Sequence, residues 1–304
     1  MIFRFSIWAI ALIVLGTGAS IEPQVNDASY ALGKQFIHGD ISEEALFALT
    51  KQFDGAAKGD VDAQYSLGEH FMKGTLVDKD RGEAARWFHR AAEQGHAEAQ
   101  YKLGWLCVDG EGIAKNLDDA IAWYTAAAAQ GHGDAQLKLG MLLVGREATE
   151  AFRWLRTAAD AGNVAAQLRT GALLSRSKPD EAITWYQRAD EGAVPKSEGQ
   201  YRLGCLYAGG LGVEKDIPES IVWLHGAAVT SDGRAQYALG LLYAYEAEPK
   251  DYIQAYRWLD VAATTKPYAE AARDAIALKM TEDEIAEARK NKAAILSRTD
   301  KAPE

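Results

Sequence analysis

Positive charge is in short supply: 33 Lys and Arg stand against 43 Asp and Glu, a formal charge of −10 at pH 7. An acidic surface repels phosphate backbones, and nonspecific nucleic-acid affinity needs clustered Lys and Arg, so no nucleic-acid partner is expected. Proline is also scarce, at 7 in 304 residues, while 48% of residues are hydrophobic and 25% charged. That balance excludes a collagen-like or disordered chain and leaves a folded helical one with a sizeable core. Only two cysteines are present, Cys107 and Cys205. In an oxidising compartment they would be the one candidate pair for a disulfide.

A long hydrophobic run is missing too. Phe5 to Leu15 is apolar apart from Ser6, which is short of the roughly 20 residues a membrane span needs but within the 7–15 or so of a signal-peptide core. Arg4 precedes the run and Thr17, Gly18, Ala19 and Ser20 follow it. Residues 1–20 therefore read as a cleaved export signal, with no cysteine at the boundary to carry a lipid. Its removal takes Arg4 with it and leaves 32 basic against 43 acidic residues, a formal charge of −11. If the segment is retained instead, the protein is tethered to a membrane.

What is abundant is repetition. Ala63-Gln-Tyr-Ser-Leu-Gly68 returns as Ala99-Gln-Tyr-Lys-Leu-Gly104, Ala135-Gln-Leu-Lys-Leu-Gly140, Ala166-Gln-Leu-Arg-Thr-Gly171, Gly199-Gln-Tyr-Arg-Leu-Gly204 and Ala235-Gln-Tyr-Ala-Leu-Gly240. A spacing of 31–36 residues between these glycines is the period of a helix-turn-helix solenoid. A degenerate copy starts at Ser29-Tyr-Ala-Leu-Gly33, making seven copies at about 28–60, 61–96, 97–132, 133–163, 164–196, 197–232 and 233–264. Each regular copy has a second half in which Ala or Ser stands three residues before a tryptophan: Trp87, Trp123, Trp154, Trp185, Trp223 and Trp258. A large aromatic recurring on one face of every second helix predicts burial against the neighbouring copy.

Within the first helix, Tyr101, Gly104 and Cys107 recur at three-residue steps beside Leu103 and Leu106, one broad apolar stripe. The mid-helix glycine costs roughly 1 kcal/mol relative to Ala and predicts close approach of the partner helix. Turn-formers such as Asp109-Gly-Glu-Gly112 and Gly209-Gly-Leu-Gly212 separate the two helices, and Gly95, Gly131, Gly162 and Gly192 close the second. Copies at 133–163 and 164–196 lack the Gly-x-Gly turn. From Tyr268 to Arg298 the pattern fades into charged amphipathic helices, with a capping-box start at Thr281-Glu-Asp-Glu284. Residues 265–304 read as a C-terminal cap and tail.

The run Ala-x-Tyr-x-Leu-Gly-x-x-Tyr, then Gly-x-Gly-Val, then Ala-x-x-Trp-Tyr-x-x-Ala-Ala-x-x-Gly resembles the Sel-one-like repeat (SLR) family, relatives of the tetratricopeptide repeat. The resemblance covers residues 28–264. It implies an all-α fold, a right-handed α/α superhelical solenoid, acting as an adaptor or scaffold. In related tetratricopeptide arrays the first helices line a concave face, to which Tyr65, Tyr101, Trp105, Met141, Tyr201 and Tyr237 correspond. Trp105 is the one tryptophan beyond the signal that lies outside the regular second-helix position.

Catalytic chemistry finds little support in the residues. Cys107 and Cys205 lie three repeats apart, on the order of 25 Å at 8–10 Å per helix layer, against a limit of about 7 Å for a disulfide. Both are expected to be buried and small-apolar in character. His96 and His132 occupy equivalent positions, but neither a Cys-x-x-Cys nor a His-Glu-x-x-His arrangement accompanies them, so no metal site is expected. The glycine turns before Lys115 and Lys215 join two helices, whereas a phosphate loop follows a strand. No cofactor is expected. Lys102, Lys138, Arg169 and Arg202 share one motif position and form a candidate binding stripe. Glu98, Asp134 and Glu198 stand four residues before Lys102, Lys138 and Arg202, so helix support by i, i+4 pairs is the competing role.

The expectation is therefore a non-enzymatic scaffold, exported to a bacterial periplasm or secreted, that holds a protein or peptide partner through Tyr101, Lys102, Trp105, Lys138, Met141, Arg169, Tyr201 and Arg202. Two alternatives stand beside it. One is a membrane-tethered assembly factor. The other is recognition or hydrolysis of β-lactams, which the resemblance implies for a cysteine-rich branch of the family, from which this chain departs in having isolated cysteines.

Overall fold

The computed structural model describes residues 43–192 and 197–290. The export signal, the first helix of the copy at 28–60 and the end of the tail fall outside them. Among the described residues the protein is all-α, with fifteen α-helices and no strand. In chain order they are α1 (Glu43–Ala57), α2 (Val61–Lys73), α3 (Arg81–Glu93), α4 (Ala97–Asp109), α5 (Leu117–Ala129), α6 (Gly133–Leu143), α7 (Ala148–Asp160) and α8 (Val164–Leu174). They continue as α9 (Pro179–Gly192), α10 (Glu198–Gly209), α11 (Ile217–Val229), α12 (Gly233–Leu241), α13 (Tyr252–Ala262), α14 (Tyr268–Ala277) and α15 (Glu282–Lys290). None is long and apolar enough to cross a membrane. The chain divides into two compact units, one ending at Leu139 and the other beginning at Gly140.

Within each unit, consecutive helices pack in pairs, and the recurring glycine explains how closely. A Cβ on Gly104 would lie 2.8 Å from the ring of Tyr124, one on Gly171 2.7 Å from Tyr186, and one on Gly240 2.6 Å from Leu259. Each of these partners is the residue immediately after the conserved tryptophan, and all are buried. The alanine three residues before the tryptophan is equally buried at Ala84, Ala120, Ala182 and Ala255. At Ser220 the hydroxyl donates to the Gly204 carbonyl at 2.7 Å. The small side chain and the glycine thus face each other, and the bulky residue fills the space beside them.

The tryptophans reach the preceding copy. Trp87 meets Phe53 of α1 edge-on at 5.9 Å, Trp123 meets His89 of α3 at 5.5 Å, and Trp258 meets His225 of α11 at 5.4 Å. Burial is less uniform than the sequence predicts: Trp87, Trp185 and Trp258 are buried, while Trp123, Trp154 and Trp223 are half-buried.

The motif glutamine stitches copies together. Gln64, Gln100, Gln136, Gln167 and Gln236 are buried, and each donates Nε2 to the carbonyl eight residues earlier, near the end of the preceding second helix. The last carbonyls of a helix have no i+4 partner; each of these accepts a turn N–H three residues on, and the glutamine amide from the next helix adds a second bond.

Turn length follows the glycines. Seven residues separate α4 from α5 and α10 from α11, whereas four separate α6 from α7 and α8 from α9. In the short turns, Leu143 accepts from Arg146 and Glu147, and Leu174 from Ser177 and Lys178. In the long ones Gly112 and Gly212 take φ of 83° and 78°, a left-handed conformation that a side chain would strain. At the C-terminus, Thr281 and Glu284 form the expected capping box: the Thr281 N–H donates to Glu284 Oε2 at 2.8 Å, and the Glu284 N–H to Thr281 Oγ1 at 3.3 Å.

Candidate functional site

The eight candidate partner-binding residues all lie on first helices. Tyr101, Lys102 and Trp105 are on α4 and Lys138 on α6 in one unit; Met141 on α6, Arg169 on α8, and Tyr201 and Arg202 on α10 belong to the other.

On α4, Tyr101 stacks on the imidazole of His132 at 4.7 Å between ring centres. The His132 ring is held from both sides. Its Nδ1 accepts the Ala135 N–H at 3.2 Å, capping the start of α6, and its Nε2 lies 2.7 Å from Glu98 Oε2. The tautomer with its proton on Nε2 satisfies both contacts. The arrangement repeats one copy earlier: Tyr65 stacks on His96 at 4.6 Å, His96 Nδ1 accepts the Ala99 N–H at 3.1 Å, and Nε2 lies 3.7 Å from Asp62. The equivalence of the two histidines, visible in the sequence, thus reflects helix capping and inter-copy stacking.

In the other unit an arginine replaces the imidazole. The Arg234 guanidinium sits over the Tyr201 ring at 4.6 Å and pairs with Glu198 at 2.5 Å and Asp232 at 2.7 Å. Burial pushes the Glu198 carboxyl up, but hydrogen bonds from Arg234 and Arg202 outweigh it and hold the group below its ordinary value. Two members of the basic stripe are likewise engaged by the fold. Lys102 lies 3.4 Å from Glu69 on α2 and 3.8 Å from Glu98, and Arg202 donates to Glu198 at 2.8 Å. Lys138 is half-buried and Arg169 exposed.

Trp105 is half-buried and packs on the core of its unit, with the Arg81 guanidinium 5.5 Å above its ring. Arg81 is in turn paired with Asp109 at 3.1 Å and with Glu111. Met141 is different: it is 40% exposed, as is Leu173 on α8 at 42%.

Acid–base and nucleophilic chemistry is poorly served here. Burial, reinforced by nearby carboxylates, pushes the Tyr65 phenol up to about 12, and burial does the same for Tyr201. Such phenols stay neutral at physiological pH and cannot act as bases. Cys107 is buried, as expected. Cys205 is only half-buried, a correction to its expected place in the core: the chain turns it toward Tyr201, with which it hydrogen-bonds. Burial raises both thiols above their ordinary value, which disfavours the reactive thiolate. Both are free. Ser175-Arg-Ser-Lys178 has the Ser-x-x-Lys spacing of a serine nucleophile. Ser175, however, donates to the Ala172 carbonyl at 2.9 Å, and Lys178 reaches forward to Glu181 at 2.7 Å, so the pair is spent on ending α8 and starting α9. Among the described residues, no group of three or more His, Cys, Asp and Glu converges as metal ligands would.

The sequence signals left unread were the glutamine, whose recurrence in every regular copy is as strict as that of the glycine, and the residue after the tryptophan, which varies among Phe, Tyr and Leu.

Comparison with known proteins gives a consistent answer. No curated protein matches the chain. Among solved structures, a protective antigen present in uropathogenic Escherichia coli strains, displaying an SLR fold, is 26% identical with a TM-score of 0.66. The match covers 91% of this chain, which spans 61% of that protein's length. A Sel1 repeat protein from Oxalobacter formigenes is 30% identical with a TM-score of 0.57, over 68% of this chain and 86% of that one. The family model for the Sel1 repeat matches residues 61–96, 97–132, 133–163, 165–189, 197–228 and 233–264. With six matched repeats and helices packed pairwise in chain order, the protein belongs to the Sel1 repeat family, whose members generally serve as scaffolds for protein–protein interaction.

Proposed function

We propose that this protein is an exported, non-enzymatic scaffold, periplasmic or secreted from a bacterium, that holds a protein or peptide partner on its first helices. The observation that carries the reading is the exposure of Met141 at 40% and Leu173 at 42%. They stand on α6 and α8, first helices of successive copies. Exposed apolar side chains on successive first helices offer modest contacts of the kind by which solenoids bind. The neutral phenols and thiols of the same face support a binding role over a chemical one. Export is supported by the Arg4-led apolar run and the small residues after it.

The test is an affinity pull-down from native envelope and culture fractions, comparing wild type with Met141→Asp plus Leu173→Asp at equal helicity. A partner captured by wild type and lost from the variant supports the reading; equal capture by both sinks it. Intact mass of the exported form, short by residues 1–20, checks the export signal.

A further inference from the structure

The last regular copy departs from the others where its first helix ends. Beyond α12 the chain enters a five-residue π turn, Leu242–Glu246, closed by the Ala247 N–H donating to the Leu242 carbonyl at 2.8 Å. A π turn inserts a residue into the helical register and is frequently found at functional positions. Here it helps to wall a cleft of about 900 Å³, completed by the starts of α11, α13 and α15. That volume is within the usual range for a ligand site, roughly 300–1,000 Å³.

The cleft has an apolar floor. Ile217, Ile221, Tyr243, Tyr252 and Ile253 line it, all half-buried, and all pack on the buried cores of their unit. The floor is therefore preformed. The rim is acidic: the lining carboxylates of Asp216, Glu246, Glu248, Asp251 and Glu284 outnumber the lining cations Lys215 and Lys250, even with Lys279 counted beside Tyr252. Three of these carboxylates are fixed by the backbone. Asp216 caps α11 by accepting the Glu219 N–H at 2.9 Å, Asp251 caps α13 by accepting the Gln254 N–H at 2.9 Å, and Glu284 accepts the Thr281 N–H. Glu246 pairs with Lys215 at 2.8 Å, which leaves the rim net negative. The aromatic groups beside it already receive a cation: the Lys279 ammonium lies 4.8 Å from the Tyr245 ring centre and 5.6 Å from that of Tyr252.

We propose that this cleft is a second binding site, distinct from the first-helix face, for a cationic peptide segment that also carries aliphatic side chains. Lysine or arginine side chains meet the acidic rim while the aliphatic ones fill the floor. Acidic peptides are disfavoured by the same charge.

The experiment uses the full chain and three fluorescent octapeptides, alternating Lys-Leu, Glu-Leu and Lys-Ser. Saturable one-to-one binding of Lys-Leu, no binding of Glu-Leu and at least about tenfold weaker binding of Lys-Ser are expected. Glu246→Gln plus Glu248→Lys weakens Lys-Leu by at least about tenfold at unchanged helicity, whereas Met141→Asp plus Leu173→Asp leaves it unchanged. A benzophenone-bearing Lys-Leu peptide crosslinks the wild-type chain within residues 215–221 and 243–253, a readout that needs no variant. No saturable binding, equal affinity for Lys-Ser, or crosslinks elsewhere would overturn the proposal. The first-helix pull-down can fail while this binding persists, and the reverse, so the two readings stand or fall separately.

Discussion

At the scale of single residues, two small features of the motif decide how copies close. Gly104 in α4 sits against Tyr124, which is 1% exposed and has nowhere to retreat. Gly104→Ala would gain about 1 kcal/mol of helix propensity, but a Cβ 2.8 Å from the ring forces overpacking worth about 1–3 kcal/mol. The net expectation is destabilisation, read as a lower urea midpoint, and Gly104→Val should be worse. A midpoint raised by Ala would mean the helix pair has slack. Gln100 tests the stitching. Its Nε2 donates to the buried Ala92 carbonyl at 3.0 Å and its Oε1 accepts from Gln130 at 2.8 Å. Gln100→Leu keeps the volume and removes both bonds, leaving the Ala92 carbonyl only the Gly95 N–H that it already accepts at 2.9 Å, so a loss of about 1–3 kcal/mol in urea unfolding is expected.

At the scale of helices and turns, the C-terminal capping box yields a pH prediction. Hydrogen bonds from the Thr281 N–H and hydroxyl hold the Glu284 carboxyl below its ordinary value of 4.5. A depressed folded-state pKa means that the stabilisation of α15 is present above the unfolded-state pKa. It is lost as pH falls through the folded-state value. Carboxyl NMR should show Glu284 titrating below the other exposed glutamates, with α15 amide exchange rising at the same pH. Thr281→Ala removes the hydroxyl but keeps the N–H, so it should move the titration only part of the way back up; an unchanged titration would sink the hydroxyl's share of the assignment. This box was legible in the sequence because it is local, spanning four residues. So were the helix pairs, the short turns after Leu143 and Leu174, and the close approach at each glycine, since periodicity and turn chemistry carry them. The glycine's partner was not: Phe88, Tyr124, Leu155, Tyr186, Leu224 and Leu259 share a position but no residue type. The capping roles of His96 and His132 depend on Nδ1 facing a backbone N–H three residues on, and the acidic cleft on the π turn. The histidines' equivalent positions are visible in the sequence but the direction of Nδ1 is not, and the π turn leaves no mark that repeats.

At the scale of the whole molecule, the main packing within each unit runs between helices adjacent in sequence, and the cap adds the pairing of α13 with α15. Where contacts are local, stability is approximately a sum over repeats and their nearest neighbours, and damage spreads only as far as neighbour coupling carries it. Gly104→Val strikes the α4–α5 pair, which the Gln130–Gln100 hydrogen bond ties together and which the Gln100–Ala92 hydrogen bond and the Tyr101–His132 stack join to its neighbours. Native-state hydrogen exchange should therefore quicken in α4 and α5, less so in α2 and α3, and stay at wild-type protection in α12 and α13. A single cooperative core would behave otherwise, because every slowly exchanging amide would then open through the same global event and lose the same free energy. Uniform acceleration from α2 to α13 would accordingly refute the repeat-by-repeat account of stability, whereas a gradient that decays along the chain would establish it.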